Sequence, residues 1–97
     1  MRIELRKFGT TLISRQAGLE ALKAFQPTLQ DIKPDENLEI DFSGVSTFSP
    51  SWGDEFLSPL LDQFGDNLVL LPSDNMSVQA TLKLLQEINK RSFVRRG

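Results

Sequence analysis

The chain has 97 residues and a formal charge of -2, enough for one domain with one core but not for a second catalytic domain. It contains no cysteine and no histidine. That excludes a disulfide framework, thiolate or HExxH metal sites, a cysteine nucleophile and the Ser-His dyad, and it removes the commonest general base.

Read in chain order, Met1 to Phe8 alternates Ile3 and Leu5 with charged neighbours, and Gly9 supplies a turn before Leu12-Ile13. This predicts a strand or a tight hairpin. Ser14 suits the N-cap of a helix from Arg15 to about Leu29, with Gly18, Ala21, Leu22, Phe25 and Leu29 on one face. Gly18 on that face predicts close packing on a sheet. Pro34 to Asn37 marks a turn, and Leu38 to Phe42 reads as a strand.

The next helix presents Trp52, Phe56, Leu60 and Phe64, widened by Leu57 and Leu61, and Pro59 is expected to kink it or divide it after Leu57. Gly65-Asp66-Asn67 breaks the pattern, and Leu68 to Leu71 reads as a strand covered on both faces, ended by Pro72. A last helix, capped by Ser77 or Asp74, turns Val78, Leu82, Leu85 and Ile88 inward. The basic tail, residues 91–97, has no period and is expected to fray. Alternating strands and helices imply an α/β fold in a single domain, residues 1–97. Its sheet should be mostly parallel or mixed, of about four strands, with helices mainly on one side and the Leu38 and Leu68 strands neighbours in its interior.

Chemistry concentrates in Asp41 to Glu55, DFSGVSTFSPSWGDE, where Ser43, Ser46, Thr47, Ser49 and Ser51 sit between a buried strand and a helix start. Unpaired helix N-H groups and the ends of strands are where α/β folds usually place sites. Two registers are open. In one, Ser49 is the cap, Pro50 takes the first helical position and Ser51 keeps a free hydroxyl. In the other, Ser51 is the cap and Asp54 closes a capping box on it. Gly44 suits the turn, Trp52 reads as a core or lid residue or, if partly exposed, a binding anchor, and Asp41 faces solvent or bonds loop N-H groups.

Charge is uneven. Asp31 to Asp66 carries Asp31, Asp35, Glu36, Glu39, Asp41, Asp54, Glu55, Asp62 and Asp66 against Lys33, whereas Lys90, Arg91, Arg95 and Arg96 crowd the tail. The acidic middle could steer a basic partner or simply be solvated. Near-neutral total charge does not suggest nucleic acid as a partner. With no charged-then-apolar leader and no apolar run of about eighteen residues, the expectation is a cytoplasmic protein with neither a signal peptide nor a membrane span. Asp41, Asp54, Glu55 and Asp62 could be drawn as a magnesium site of a phosphate-handling enzyme. That signal is weak, because there is no phosphate-binding glycine motif and no cation evident near the loop.

Phe8-Gly9 with Leu12-Ile13-Ser14-Arg15, then Asp41-Phe42-Ser43-Gly44-Val45, then Phe48-Ser49-Pro50-Ser51 followed by Asp54-Glu55-Phe56, together resemble the STAS family. This family comprises anti-sigma factor antagonists and the cytoplasmic domains of sulfate transporters, and the resemblance is closer still to the compact STAS-like domains of bacteria. In the antagonists the loop is similar to DLSGVxxIDSSG, and a histidine-kinase-like ATPase partner phosphorylates its second serine. That serine falls on Ser51. The family's aspartate is Ser49 here, its first serine is Pro50, and the glycine after the acceptor is Trp52.

The resemblance implies a non-enzymatic regulatory module with Ser51 as phospho-acceptor candidate. Ser43, Gly44, Ser46, Ser49, Trp52, Asp54 and Glu55 are candidate contacts to a protein partner, such as that ATPase or an anti-sigma-type regulator. From the residues themselves no cofactor, metal, nucleic acid or membrane is expected, and homo-oligomers stay open. The alternative is an unmodified scaffold or self-associating domain that uses the same face.

Overall fold

The structure is a computed structural model and describes residues 1–96. Its elements are β1 (Arg2–Glu4), β2 (Thr11–Leu12), α1 (Arg15–Leu29), β3 (Leu38–Asp41), β4 (Thr47–Phe48), α2 (Pro50–Phe64), β5 (Leu68–Leu70), α3 (Met76–Asn89) and β6 (Val94–Arg95). Four strands form one parallel sheet in the order β1-β3-β5-β6, so β3 and β5 are interior neighbours, with Leu38, Glu39 and Ile40 in register with Leu68, Val69 and Leu70.

The order is monotonic, and this decides where the helices go. Each step to the next strand moves in the same direction and is bridged by one helix. Right-handed crossovers therefore place α1, α2 and α3 on the same face. Ile3, Leu38, Ile40, Leu68 and Leu70 point to that face and are buried with Leu22, Phe25, Phe56, Leu57, Leu60, Val78, Leu82 and Leu85. The opposite face is polar. Arg2 pairs with Asp41 at 2.9 Å, and Arg96 pairs with Glu39 across β5. Val69, expected beneath a second layer, is buried instead between Glu39 and Val94, its partners in register, and under that ion pair.

A second, two-stranded parallel sheet joins β2 to β4, Thr11 opposite Thr47 and Leu12 opposite Phe48. β1 therefore pairs with β3, not with the segment after Gly9, and no hairpin forms. Because β2 leads into α1 and β4 into α2, the two helices begin side by side. Gly18 is needed there rather than on the sheet: a Cβ at this position would lie 2.6 Å from the carbonyl oxygen of Trp52.

Further expectations are corrected. Pro59 does not divide α2, which runs unbroken from Pro50 to Phe64. The residue lies on the exposed side, where water can serve the carbonyl that loses its donor. The cap of α3 is Asn75, whose Oδ1 accepts from the Val78 N-H at 3.1 Å, because Ser77 is occupied by the N-H of Phe48. Ile88 is 54% exposed, since the inward positions are Val78, Thr81, Leu82 and Leu85, and Asn89 takes the contact with α2.

The tail is ordered through Arg96. Lys90 ends α3 in the left-handed conformation, Phe93 is buried, and Val94–Arg95 pairs with β5, whose edge would otherwise be unpaired. Gly97 lies outside the described residues. Phe93→Ala should lower unfolding free energy by about 3 kcal/mol through the cavity it leaves. Denaturation in urea measures this, and unchanged stability would mean a frayed tail.

Candidate functional site

The segment from Asp41 to Ser51 is held at nearly every residue. Asp41 is buried and its carboxylate accepts from the Ser43 N-H at 2.9 Å and from Arg2 at 2.9 Å. It thereby bends the chain into the turn where Gly44 adopts a φ of 83°. The Ser43 backbone bond, then the Ser43 hydroxyl and Arg2, hold the Asp41 carboxyl below its usual value of 3.8 against the opposing effect of burial. Ser46 bonds the Thr10 carbonyl through its N-H at 2.8 Å and its hydroxyl at 3.0 Å. From the other side Asn75 donates to the carbonyls of Val45 and Ser46 at 3.1 and 3.0 Å, and Thr81 donates to that of Phe48 at 2.6 Å.

At the start of α2 the first register is the one realised. The Ser49 hydroxyl accepts from the Trp52 N-H at 3.2 Å and donates to the Ile13 carbonyl at 2.7 Å, and Pro50 occupies the first helical position. Ser51 is half-buried and its hydroxyl has no hydrogen-bond partner among the described residues. Asp54 closes no box on it. Its carboxylate instead accepts from the Ser58 hydroxyl at 2.9 Å and pairs with Arg15 at 3.1 Å, while Glu55 pairs with the same guanidinium at 2.8 Å.

Trp52 is corrected as a partner contact. It is 1% exposed, stacks on Phe56 with centroids 4.9 Å apart, and meets Phe48 edge-on at 5.8 Å. An indole packed this way anchors the first turn of α2 and leaves nothing for a partner to grip. Ser43, Gly44 and Ser46 are exposed, and Ser49, Ser51, Asp54 and Glu55 are partly so.

The carboxylates drawn together from sequence lie apart: Asp41 goes to Arg2, Asp54 and Glu55 to Arg15, and Asp62 stands alone on the exposed side of α2. Among the described residues no cluster of three such groups could hold a metal ion.

Two features escaped sequence reasoning. Arg15, 39 residues from Asp54, is the cation beside the loop; the available signal was its place just after a cap, in a strand-to-helix unit resembling the second one. The second feature is a cleft of about 590 Å3 at the carboxyl ends of β3 and β5, lined by Phe42 to Val45 and by Pro72 to Asn75. Its second wall comes from a segment read only as a strand end and a helix cap.

Asp41 sets a pH dependence. A depressed carboxyl contributes stability that is present above the unfolded-chain value and is lost as pH falls through the folded value. Acid unfolding below about pH 3.8 should therefore be less steep in Asp41→Asn than in the parent, as followed by circular dichroism. The two serines should also separate. Ser49→Ala should cost about 1 kcal/mol as the lost cap, and Ser51→Ala should leave unfolding within a few tenths of the parent.

Residues 25–71, which run from within α1 through β5 and include the whole Asp41–Glu55 segment, match a family model described as a STAS-like domain of unknown function (DUF4325). No curated protein and no solved structure matches the chain. Among the described residues no helix is long and apolar enough to cross a membrane.

Proposed function

With residues 25–71 matching a family model described as a STAS-like domain, we propose that this is a cytoplasmic, non-enzymatic regulatory module. It binds a protein partner through the Ser43–Ser51 loop and the first turns of α2, and Ser51 is its phospho-acceptor. The observation that carries the reading is the division of labour between two serines. Ser49 takes the cap, so the Ser51 hydroxyl is left unpartnered at the second helical position of α2. A histidine-kinase-like ATPase is the partner that the family resemblance suggests.

The physics of a switch at this place follows from three charges. Before modification, Arg15 offsets one of the two negative charges of Asp54 and Glu55. A phosphate on Ser51 adds nearly two negative charges. The N-terminus of α2 favours them, and the two carboxylates oppose them. Arg15 is the cation able to turn from the carboxylates to the phosphate, which would leave Asp54 and Glu55 unpaired. A partner docked on the unmodified surface then meets a strongly acidic one, and contact is lost.

Incubation with the ATPase and ATP should place a phosphate on Ser51, read as a mass shift on the peptide containing it. Ser51→Asp should weaken partner binding by about 1 to 3 kcal/mol, while Ser51→Ala retains it, measured by calorimetry. Equal affinities for the parent and Ser51→Asp would sink the assignment.

A further inference from the structure

The outer surface shared by α2 and α3 carries apolar and acidic side chains side by side, and nothing in the fold uses it. On α3 the buried positions are Val78, Thr81, Leu82 and Leu85. Yet Met76 is 84%, Leu84 39% and Ile88 54% exposed. With Ala80 between them, these residues recur every fourth position and form an apolar stripe about 18 Å long. Its lower end borders α2. Thr81 bonds the carbonyl preceding α2, and Asn89 donates to Ser58 of α2 at 2.9 Å. Leu84 and Ile88 immediately precede Leu85 and Asn89, so they lie one helical step outward from that contact.

The facing edge of α2 is acidic. Asp54 accepts from Ser58, which bonds Asn89 of α3, Asp62 follows on the outward side, and Glu55 is turned toward Arg15 of α1. Glu87 lies next to Leu84 and Ile88 on α3. Against Arg15, which pairs with Asp54 and Glu55, and Lys83, one helical turn before Glu87, the four carboxylates leave the surface beside the stripe net acidic. Lys83 lies on the side of the stripe away from α2, between Gln79, which bonds Arg95 of β6, and Glu87.

We infer that this surface is a docking site for an amphipathic helix with a basic edge, contributed by another protein. The apolar side chains of such a helix would cover Leu84 and Ile88, and its lysines or arginines would lie along Asp54, Glu55, Asp62 and Glu87. Charge complementarity selects this occupant over an acidic helix. A second copy of this domain would bring four more carboxylates to the same place. The inference does not depend on modification of Ser51.

A labelled synthetic amphipathic peptide of about eighteen residues, built from leucine and lysine, serves as probe, and its glutamate-for-lysine counterpart as control. By fluorescence anisotropy the lysine peptide should bind, more weakly as salt rises, and the glutamate peptide should not. Combined Leu84→Ser and Ile88→Ser, at exposed positions that leave the core intact, should weaken binding roughly tenfold. Asp62→Lys should weaken it severalfold and reduce the salt dependence. Unchanged affinity in the double serine variant would overturn the inference, as would failure of the lysine peptide to bind. So would a concentration-dependent dimer of the parent that the double variant returns to monomer, because the stripe would then be covered by a second copy.

Discussion

The rest of the structure hangs on the contact between Gly18 of α1 and the Trp52 carbonyl at the first turn of α2. Only a residue without a Cβ allows two helices to approach this closely, and the approach brings the two helix starts into one neighbourhood. Ser49 can then bond the Ile13 carbonyl, and Arg15 can reach Asp54 and Glu55. Trp52 fixes the contact from beneath by stacking into the ring cluster of Phe8, Phe48 and Phe56. Each interaction is individually modest, especially the half-exposed ion pairs. Together they leave the Ser51 hydroxyl without a partner at the start of α2, where Ser49 is committed to the cap.

The monotonic sheet has a second consequence. With all crossovers on one face, the molecule has a helical surface and a sheet surface of different character. The sheet surface satisfies itself through Arg2 with Asp41 and Arg96 with Glu39. The helical surface does not, since α2 and α3 leave carboxylates and apolar side chains uncovered. Within this fold, uncovered apolar and charged groups are therefore concentrated on the helical side. The turn after β3 depends on Asp41, whose carboxylate is spent on the backbone of Ser43.

Much of this was legible before any coordinates. The helix faces through Phe25, Phe56 and Leu82, the paired apolar strands and the parallel α/β class follow from hydrophobic period, and the STAS-like resemblance was readable from the loop and its flanks. What failed was of one kind. Pro59, Ile88 and the tail were misread because local pattern does not report which side of a helix meets solvent or whether a sheet edge awaits a strand. Phe93 is a single aromatic in a basic stretch, too little for a period yet enough to bury.

By itself the sequence determined the order and type of the elements, since propensity and apolar spacing are local. It also pointed to the segment between β3 and α2 as the candidate site, because hydroxyls are concentrated there. Tertiary structure decided which serine caps α2, because the choice rests on Ile13, which β2 brings alongside β4. It likewise decided that Trp52 is core and that Arg15 pairs with Asp54 and Glu55. Those outcomes depend on contacts between residues more than thirty positions apart, whose closeness is created only when the two strand-to-helix units pair in register.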